Sequence, residues 1–246
     1  MSVTDDSRGE GPVRAGEAGL PAVSWAGLLD GFRASAPSPV AFAYEWWRYN
    51  APLVDRIRQV VSPPARVVEI GCGTGALTIL LSAYGYAASG VDRDPAVVAA
   101  AHTLARQFGV TCDFQVGDAF AMPAGPVLAD LAFSAGVLEH FSSEDAIRFL
   151  QVQGRLARRV LAVVPTRFAL RNDPSTEVSR ARPLGLIQLR HLFRRAGLQV
   201  VRQFGYGTPD GLFSVIYRYC VPGAGQWLLQ NHLAYACSIG CIGVKG

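Results

Sequence analysis

Three acidic residues of this chain lie where short apolar runs end. Glu69 comes two residues before a glycine cluster, Asp92 closes one apolar run, and Asp118 follows another. Ionised carboxylates only accept hydrogen bonds, so such side chains can take ribose hydroxyls or an exocyclic amino group, or can balance a cation. A fourth candidate, His140, titrates near neutral pH and could move a proton. The chemistry to be tested is therefore the binding of a nucleoside-like ligand beside a proton acceptor.

The glycine cluster must be held between a strand and a helix. Val67, Val68 and Ile70 predict a short buried strand, because β-branched residues fill a pleated surface. The glycines follow at once, and a helix is predicted to begin at Ala76. A strand that turns through glycine into a helix presents backbone N–H groups and a positive helix end to its ligand. This arrangement indicates a nucleotide-type site.

Two kinds of nucleotide cofactor remain open on the glycines alone. Gly71, Gly73 and Ala76 satisfy the G-x-G-x-x-G/A pattern of nicotinamide and flavin sites. Glu69 argues against that alternative, because a carboxylate at the end of a buried strand needs a partner and a phosphate is a poor one. A cationic ligand or a set of N–H donors suits it better.

The stretch Val67–Gly75 resembles the first motif of the class I S-adenosylmethionine-dependent methyltransferases, of the form h-h-(E/D)-h-G-x-G-x-G. The resemblance implies an α/β fold: a doubly wound, Rossmann-like, seven-stranded and mostly parallel sheet with an antiparallel strand at its C-terminal edge. It also implies S-adenosyl-L-methionine as the cofactor. The residues of this motif expected at the cofactor are Glu69, Gly71, Cys72, Gly73 and Gly75.

Two further motifs follow the next predicted strands. Asp92 comes 21 residues after Gly71, the spacing expected for an acid that binds a ribose diol, and Arg93 beside it could stack on the adenine edge. After the third strand, the chain resembles the family at the position whose acid takes the adenine amino group. That resemblance covers Gly117, Asp118 and Ala119.

The segment Ser-Ala-Gly-Val-Leu-Glu-His-Phe, which begins at Ser134, resembles the family's segment after strand four. The resemblance implies that Ser134, Ala135 and Gly136 run past the methionine part of the cofactor and that Glu139-His140 faces the acceptor. His140 is then the candidate general base. The alternative, that this histidine only fixes the loop by hydrogen bonds, stays open.

The densest aromatic cluster of the chain, residues 42–50, precedes the first strand. It predicts a lid over the cofactor, since aromatic faces attract a sulfonium cation. Tyr44 is one candidate for this contact, and Arg48 could pair with the methionine carboxylate. Helical spacing of Trp46 and Tyr49 equally suits an ordinary core position.

The domain organisation is inferred from composition together with the family resemblance. Residues 1–20 are polar and rich in glycine and proline, which predicts a disordered tail. Residues 21–62 are assigned to an N-terminal helical lid segment and residues 63–246 to the methyltransferase domain. An aromatic-rich insertion at about 205–235 could shape the acceptor pocket, form a homodimer contact or lie on a membrane surface.

Composition excludes several partners. The net charge is only +4 and the arginines are scattered, which argues against nucleic acid. No apolar run reaches the roughly 20 residues of a membrane span, and no secretory signal is present, so a cytoplasmic location is expected. The cysteines are odd in number, with no C-x-x-C pair, so reduced thiols and no metal site are expected. They are Cys72, Cys112, Cys220, Cys237 and Cys241.

The function implied by this resemblance is transfer of the cofactor's methyl group to the oxygen, nitrogen or carbon of a small-molecule acceptor. Two alternatives remain at this stage: a nicotinamide-dependent oxidoreductase, and a protein that binds S-adenosylmethionine without catalysis.

Overall fold

The computed structural model describes residues 34, 36–122, 128–166, 182–207 and 236–245, with Tyr49 described by its backbone only. The predicted disordered tail lies outside the described residues. So do the predicted lid segment before residue 34 and most of the predicted insertion.

Within the described residues, helices and strands alternate as the sequence predicts. The strands are β1 (Arg66–Ile70), β2 (Ala87–Asp92), β3 (Asp113–Val116), β4 (Ala129–Ala135), β5 (Ala157–Pro165), β6 (Leu198–Tyr206) and β7 (Ser238–Lys245). The helices are α1 (Pro39–Arg58), α2 (Ala76–Ala83), α3 (Pro95–Gln107), α4 (Ser143–Leu156) and α5 (Leu186–Arg195). Short 3-10 turns, Ala119–Ala121 and Leu138–His140, follow β3 and β4.

The strands form one seven-stranded sheet in the order β3-β2-β1-β4-β5-β7-β6. The strands β1 to β5 pair in parallel, and β7 is antiparallel to both β5 and β6. The predicted fold class, a mostly parallel Rossmann-like sheet with an antiparallel C-terminal strand, is confirmed.

The position of the last strand differs from the prediction. β7 was expected at the sheet edge, but it lies between β5 and β6, and β6 is the edge strand. Five consecutive residues of β7 are buried, which is typical of a strand covered on both faces. Its glycines allow this, since a Cβ at Gly240 would overlap the ring of Phe204 and one at Gly243 would lie 2.8 Å from Phe193 Cδ1.

The core lies on the two faces of the sheet. On one face α1 and α2 pack against β1, β4 and β5, with Leu81 and Phe133 fully buried. On the other face α4 and α5 pack around Phe149 and Phe193. Alternate residues of β5 belong to different clusters, as the strand period requires. None of the described helices is both long enough and apolar enough to cross a membrane.

Helix α1 continues through a proline. Pro52 favours a break in a helix, but α1 runs from Pro39 to Arg58 without one. Ser38 caps its first turn by accepting a hydrogen bond from the N–H of Ala41 at 3.1 Å. The proline removes one backbone hydrogen bond. Burial of three apolar residues that follow it, Leu53, Val54 and Ile57, offsets that loss by packing the helix onto the sheet.

Candidate active site

The carboxyl ends of β1, β2 and β4 meet at one edge of the sheet. Glu69 lies opposite Gly90 of β2 and Phe133 of β4, so the glycine cluster and the Ser134 segment both leave the sheet at this edge. Asp92 is the last residue of β2. Open α/β sheets bind their ligands outside the carboxyl ends of the strands. The structure therefore brings the sequence motifs to one place.

The glycine loop is built from left-handed glycines. Gly71, Gly73 and Gly75 have φ values of 75°, 53° and 77°, which side chains rarely adopt. A Cβ at Gly71 would lie 2.6 Å from Val137 Cγ2, and one at Gly75 would lie 2.5 Å from Phe114 Cζ. Among the residues that the structure describes, a Cβ at Gly73 would meet no atom within 4 Å. Gly71 and Gly75 thus pack the loop, while Gly73 borders open space.

Asp92 holds this loop in place. Its Oδ2 accepts a hydrogen bond from the N–H of Gly73 at 2.9 Å, and its Oδ1 accepts one from the N–H of Asp94 at 3.1 Å. Asp94 caps α3 by accepting from the N–H of Ala96, as its position before Pro95 indicates. Arg93 is exposed. The carboxylate at the tip of β2 is therefore fixed beside the open position at Gly73.

Glu69 is buried beneath the loop, with 3% of its surface exposed. Its Oε2 accepts hydrogen bonds from the N–H of Thr78 at 3.1 Å and from Thr78 Oγ1 at 2.6 Å. Burial raises the pKa of this carboxyl to about 8, against the opposing hydrogen bonds from Thr78. The N-cap of α2 is Gly75, which has no side chain to cap the helix. Glu69 supplies that acceptor from the preceding strand.

Asp118 begins the segment after β3. Its side chain is exposed and accepts a hydrogen bond from the N–H of Phe120 at 2.9 Å, which caps the turn Ala119–Ala121. Gly117 donates its N–H to the carbonyl of Asp92 at 2.9 Å, so the ends of β2 and β3 are joined. This places Asp118 near the ribose-binding acid proposed from the sequence, on an outward-facing turn.

Beyond β4 the chain turns sharply. Ser134 and Ala135 are the last residues of that strand, and Gly136 follows with a φ of 73°. Ser134 and Glu139 are buried, and within the described residues neither Ser134 Oγ nor Glu139 Oε2 has a hydrogen-bond partner. Burial raises the pKa of the Glu139 carboxyl to about 7. His140 is exposed, and its N–H donates to the carbonyl of Val137.

The N-terminal half of α1 lies beside the glycine loop. Phe42 and Trp46 pack against the cluster that contains Cys72. Tyr44 is 61% exposed, and the guanidinium of Arg48 donates two hydrogen bonds to Glu45, at 2.9 and 2.6 Å. Phe42 and Trp46 are thus the aromatic side chains of α1 that pack against this cluster, and the role of Tyr44 stays a prediction.

Comparisons with known proteins agree with this geometry. Residues 67–160 match the family model of a methyltransferase domain. The ubiquinone biosynthesis O-methyltransferase of Burkholderia thailandensis is 28% identical over 185 residues, 65% of this chain and 80% of the relative. That of Xanthomonas axonopodis pv. citri is 27% identical over 188 residues, 65% of this chain and 78% of the relative. Residues 67–160 therefore carry a methyltransferase domain, and the chain is an S-adenosylmethionine-dependent methyltransferase.

Solved structures show the same fold. Magnesium protoporphyrin IX methyltransferase from Synechocystis, solved with bound S-adenosylmethionine, superposes with a TM-score of 0.57 at 18% identity, covering 83% of this chain and 81% of the other. A methyltransferase in complex with the Haloferax volcanii Trm112 activator gives a TM-score of 0.62 at 19% identity, covering 89% and 95%. S-adenosylmethionine is the cofactor of this methyltransferase, as the first motif indicates.

Sequence reasoning missed two side chains of this methyltransferase. Thr78 was not identified as a site residue from the sequence. A polar residue in the first turn of the apolar helix α2 does indicate a buried hydrogen bond, such as the one that Thr78 donates to Glu69. Glu139 was named only as the neighbour of His140, and its burial could not be read from the motif. The motif residues themselves lie where the sequence placed them, at the carboxyl edge of the sheet.

Proposed function

We propose that this methyltransferase transfers the methyl group of S-adenosylmethionine to a hydroxyl oxygen of a small-molecule acceptor. The observation that carries the proposal is the carboxylate of Asp92, which binds the N–H of Gly73 beside the open position of the glycine loop, in a matched methyltransferase domain. Oxygen is favoured as the acceptor atom because the curated relatives described above are O-methyltransferases.

The cofactor site is proposed as follows. The carboxylate of Asp92 accepts the ribose hydroxyls while keeping its bond to Gly73, since a carboxylate has about four acceptor positions. Asp118 takes the adenine amino group, and Arg93 stacks on the ring edge. The backbones of the turn segments complete the site. They belong to Gly71, Cys72, Gly73, Gly75, Gly117, Ala119, Ser134, Ala135 and Gly136.

Glu69 supports cofactor binding indirectly, by holding the first turn of α2 in position. Its hydrogen bonds to Thr78 fix the first turn of α2 against β1, and that turn presents its N–H groups at the loop. Burial raises its pKa to about 8, so the empty site favours the neutral acid near pH 7. A cationic ligand nearby favours the carboxylate, because opposite charge stabilises the ionised form.

The N-terminal helix supplies the proposed lid. Phe42 and Trp46 already lie against the loop cluster, so movement of α1 would bring aromatic faces toward a sulfonium ion. Tyr44 and Arg48 remain predictions for this lid, and Arg48 would have to leave Glu45 to reach the methionine carboxylate. An Arg48→Gln variant with unchanged affinity for S-adenosylhomocysteine would contradict that role.

The cofactor supplies an activated methyl group on a sulfonium sulfur, so the chain's own residues mainly align the acceptor and exclude water. The sequence predicts His140 as one candidate for the general base. Its exposed position at the end of the 3-10 turn suits a residue at the rim of the acceptor site. The predicted cytoplasmic location and homodimer contact also remain predictions, and sedimentation of the purified protein tests the second.

The deciding experiment is calorimetric titration of the purified protein with S-adenosylhomocysteine, and in parallel with reduced nicotinamide dinucleotide. We expect the first ligand to bind and to raise the melting temperature. Binding of the nicotinamide ligand alone would overturn the proposal in favour of an oxidoreductase. A third outcome, tight binding of S-adenosylhomocysteine with no methyl transfer to any of a panel of hydroxyl, amine and carbon acceptors, would favour a non-catalytic binding protein.

A further inference from the structure

Two buried polar atoms at the end of β4 lack protein partners within the described residues. They are Ser134 Oγ and Glu139 Oε2. Their residues are 1% and 4% exposed, so bulk water does not satisfy them. Buried polar groups in folded proteins are almost always hydrogen-bonded, and each exception calls for a ligand, a bound water or a functional reason. One of these atoms belongs to the end of β4 and the other to the 3-10 turn that follows it.

The turn lies directly against the glycine loop. Val137 is the residue that a Cβ at Gly71 would strike, so the loop and the turn are in contact. The turn then brings Glu139 back under Gly136, where a Cβ would lie 3.5 Å from Glu139 Oε1. The Glu139 carboxyl therefore lies beside Gly136, in the turn that contacts the glycine loop.

The charged neighbours of this turn have partners of their own or face outward. The backbone N–H of Arg182 donates to the carbonyl of Glu139, and its guanidinium turns toward the start of α4. Asp145 bonds to the cap of α4 and to Arg148. Glu144 and His140 are exposed. None of these groups is shown to neutralise the buried carboxyl of Glu139. Burial raises the pKa of that carboxyl, and a hydrogen bond from the backbone N–H of Glu139 lowers it.

We propose that Glu139 accepts the proton of the acceptor hydroxyl during methyl transfer, with Ser134 as a second hydrogen-bonding partner of that hydroxyl. This inference rests on the proposed function and deepens it. It makes Glu139 a catalytic residue, and it commits the acceptor to a group that carries a proton, such as a phenolic O–H.

The step balances in atoms and charge. The oxygen lone pair forms the O–CH₃ bond, the S–CH₃ bond breaks, and its electron pair stays on sulfur as a neutral thioether. The hydroxyl proton moves to Glu139 Oε2. A sulfonium cation and a carboxylate anion are thereby replaced by two neutral groups, which a buried site with little solvent favours.

The titration of the carboxyl suits this role. With a pKa of about 7, Glu139 is a stronger base than an ordinary glutamate, and it matches the pH of the cell. A bound sulfonium lowers that pKa, because a nearby positive charge favours the carboxylate. The cofactor would therefore ionise the base before the acceptor reacts.

The test compares Glu139→Gln with Glu144→Gln, a matched change at an exposed glutamate on α4, and with His140→Gln. Two acceptor probes are used at about pH 8: catechol, whose hydroxyl needs a base, and 4-nitrocatechol, whose more acidic hydroxyl ionises unaided. We expect Glu139→Gln to lower kcat on catechol by about 10²–10⁴-fold and on 4-nitrocatechol by less than about tenfold. Its affinity for S-adenosylhomocysteine should stay close to that of the wild type and of Glu144→Gln.

Several results would overturn the inference. An equal loss of kcat on both probes would mean that Glu139 is structural, and a selective loss in His140→Gln in its place would make the histidine the base. A wild type that binds S-adenosylhomocysteine yet methylates neither catechol would remove the hydroxyl acceptor while the methyltransferase assignment stands. A wild type that fails to bind S-adenosylhomocysteine would remove the proposed function itself. Should Glu139→Gln not fold, the same comparison with Glu139→Asp applies, with partial activity expected.

Discussion

Glu69 and Thr78 form a buried pair in which one carboxylate oxygen accepts both the backbone N–H, at 3.1 Å, and the hydroxyl, at 2.6 Å. The pair joins the last part of β1 to the first turn of α2 across the glycine loop. Both residues are almost fully buried, at 3% and 0% exposure. The loop therefore has two fixed ends, and its shape is set before any ligand arrives.

Thr78→Val should destabilise the fold. The substitution keeps the shape but leaves Glu69 Oε2 with only the backbone N–H as a partner. We expect a loss of about 1–3 kcal/mol in the free energy of unfolding, measured by urea denaturation. Thr103→Val is the matched control, because the Thr103 hydroxyl is exposed and bonds only its own helix and Arg106. A control as destabilised as Thr78→Val would contradict the buried role of the pair.

The stability of the ligand-free protein should fall as the pH rises from about 5 to 8. The folded pKa values of Glu69 and Glu139 are raised, from 4.5 to about 8 and about 7. A group with a raised folded pKa stabilises the fold fully below its unfolded pKa, and this contribution is lost as pH rises through the folded value. Melting temperatures of wild type and Glu139→Gln across this window measure the effect.

The side chain introduced by Glu139→Gln cannot ionise. The melting temperature of the variant, relative to that of the wild type, should therefore rise between pH 4.5 and about pH 7. Saturating S-adenosylmethionine should reduce the gain, because the sulfonium stabilises the wild-type carboxylate. Parallel curves for the two proteins at every pH would show that Glu139 keeps one ionisation state throughout.

Asp92→Asn should weaken cofactor binding. The amide keeps one oxygen for Gly73 but loses the charge that strengthens hydrogen bonds to a ribose diol. Loss of about 1.5–3 kcal/mol corresponds to a ten- to hundredfold rise in the Kd for S-adenosylhomocysteine. Calorimetry measures this, with Asp113→Asn as the control, since Asp113 is exposed at the start of β3. An unchanged Kd for Asp92→Asn would reject its assignment to the ribose.

Gly73→Ala should mainly weaken ligand binding, whereas Gly75→Ala should mainly destabilise the fold. At Gly75 a Cβ would meet the ring of Phe114 at 2.5 Å, so the protein should be destabilised. At Gly73 the added methyl meets no protein atom within 4 Å and costs only the left-handed backbone strain, about 1–2 kcal/mol. Its main effect should be lost affinity for S-adenosylhomocysteine, because it fills space left for the ligand. Thermal melts and calorimetry on both variants separate the two effects.

Much of the fold could be predicted because the types and spacing of neighbouring residues determine it. The strand, glycine loop and helix around Glu69 follow from residue types and spacing, and Asp92 falls at the tip of β2 as predicted. The extent of α1 could not be predicted, because Pro52 signals a break locally while burial of the residues beyond it decides the outcome.

The sequence by itself determined the family motif, the order of the strands along the chain and the acids placed at their ends. Only the tertiary structure decided that β7 enters between β5 and β6, since strand pairing depends on contacts distant in sequence. It also decided that Glu69 binds Thr78 and that Glu139, rather than His140, is the buried member of its pair. Burial and hydrogen-bond partners arise from the packing of separate elements, and those quantities set the pKa values on which the proposed chemistry depends.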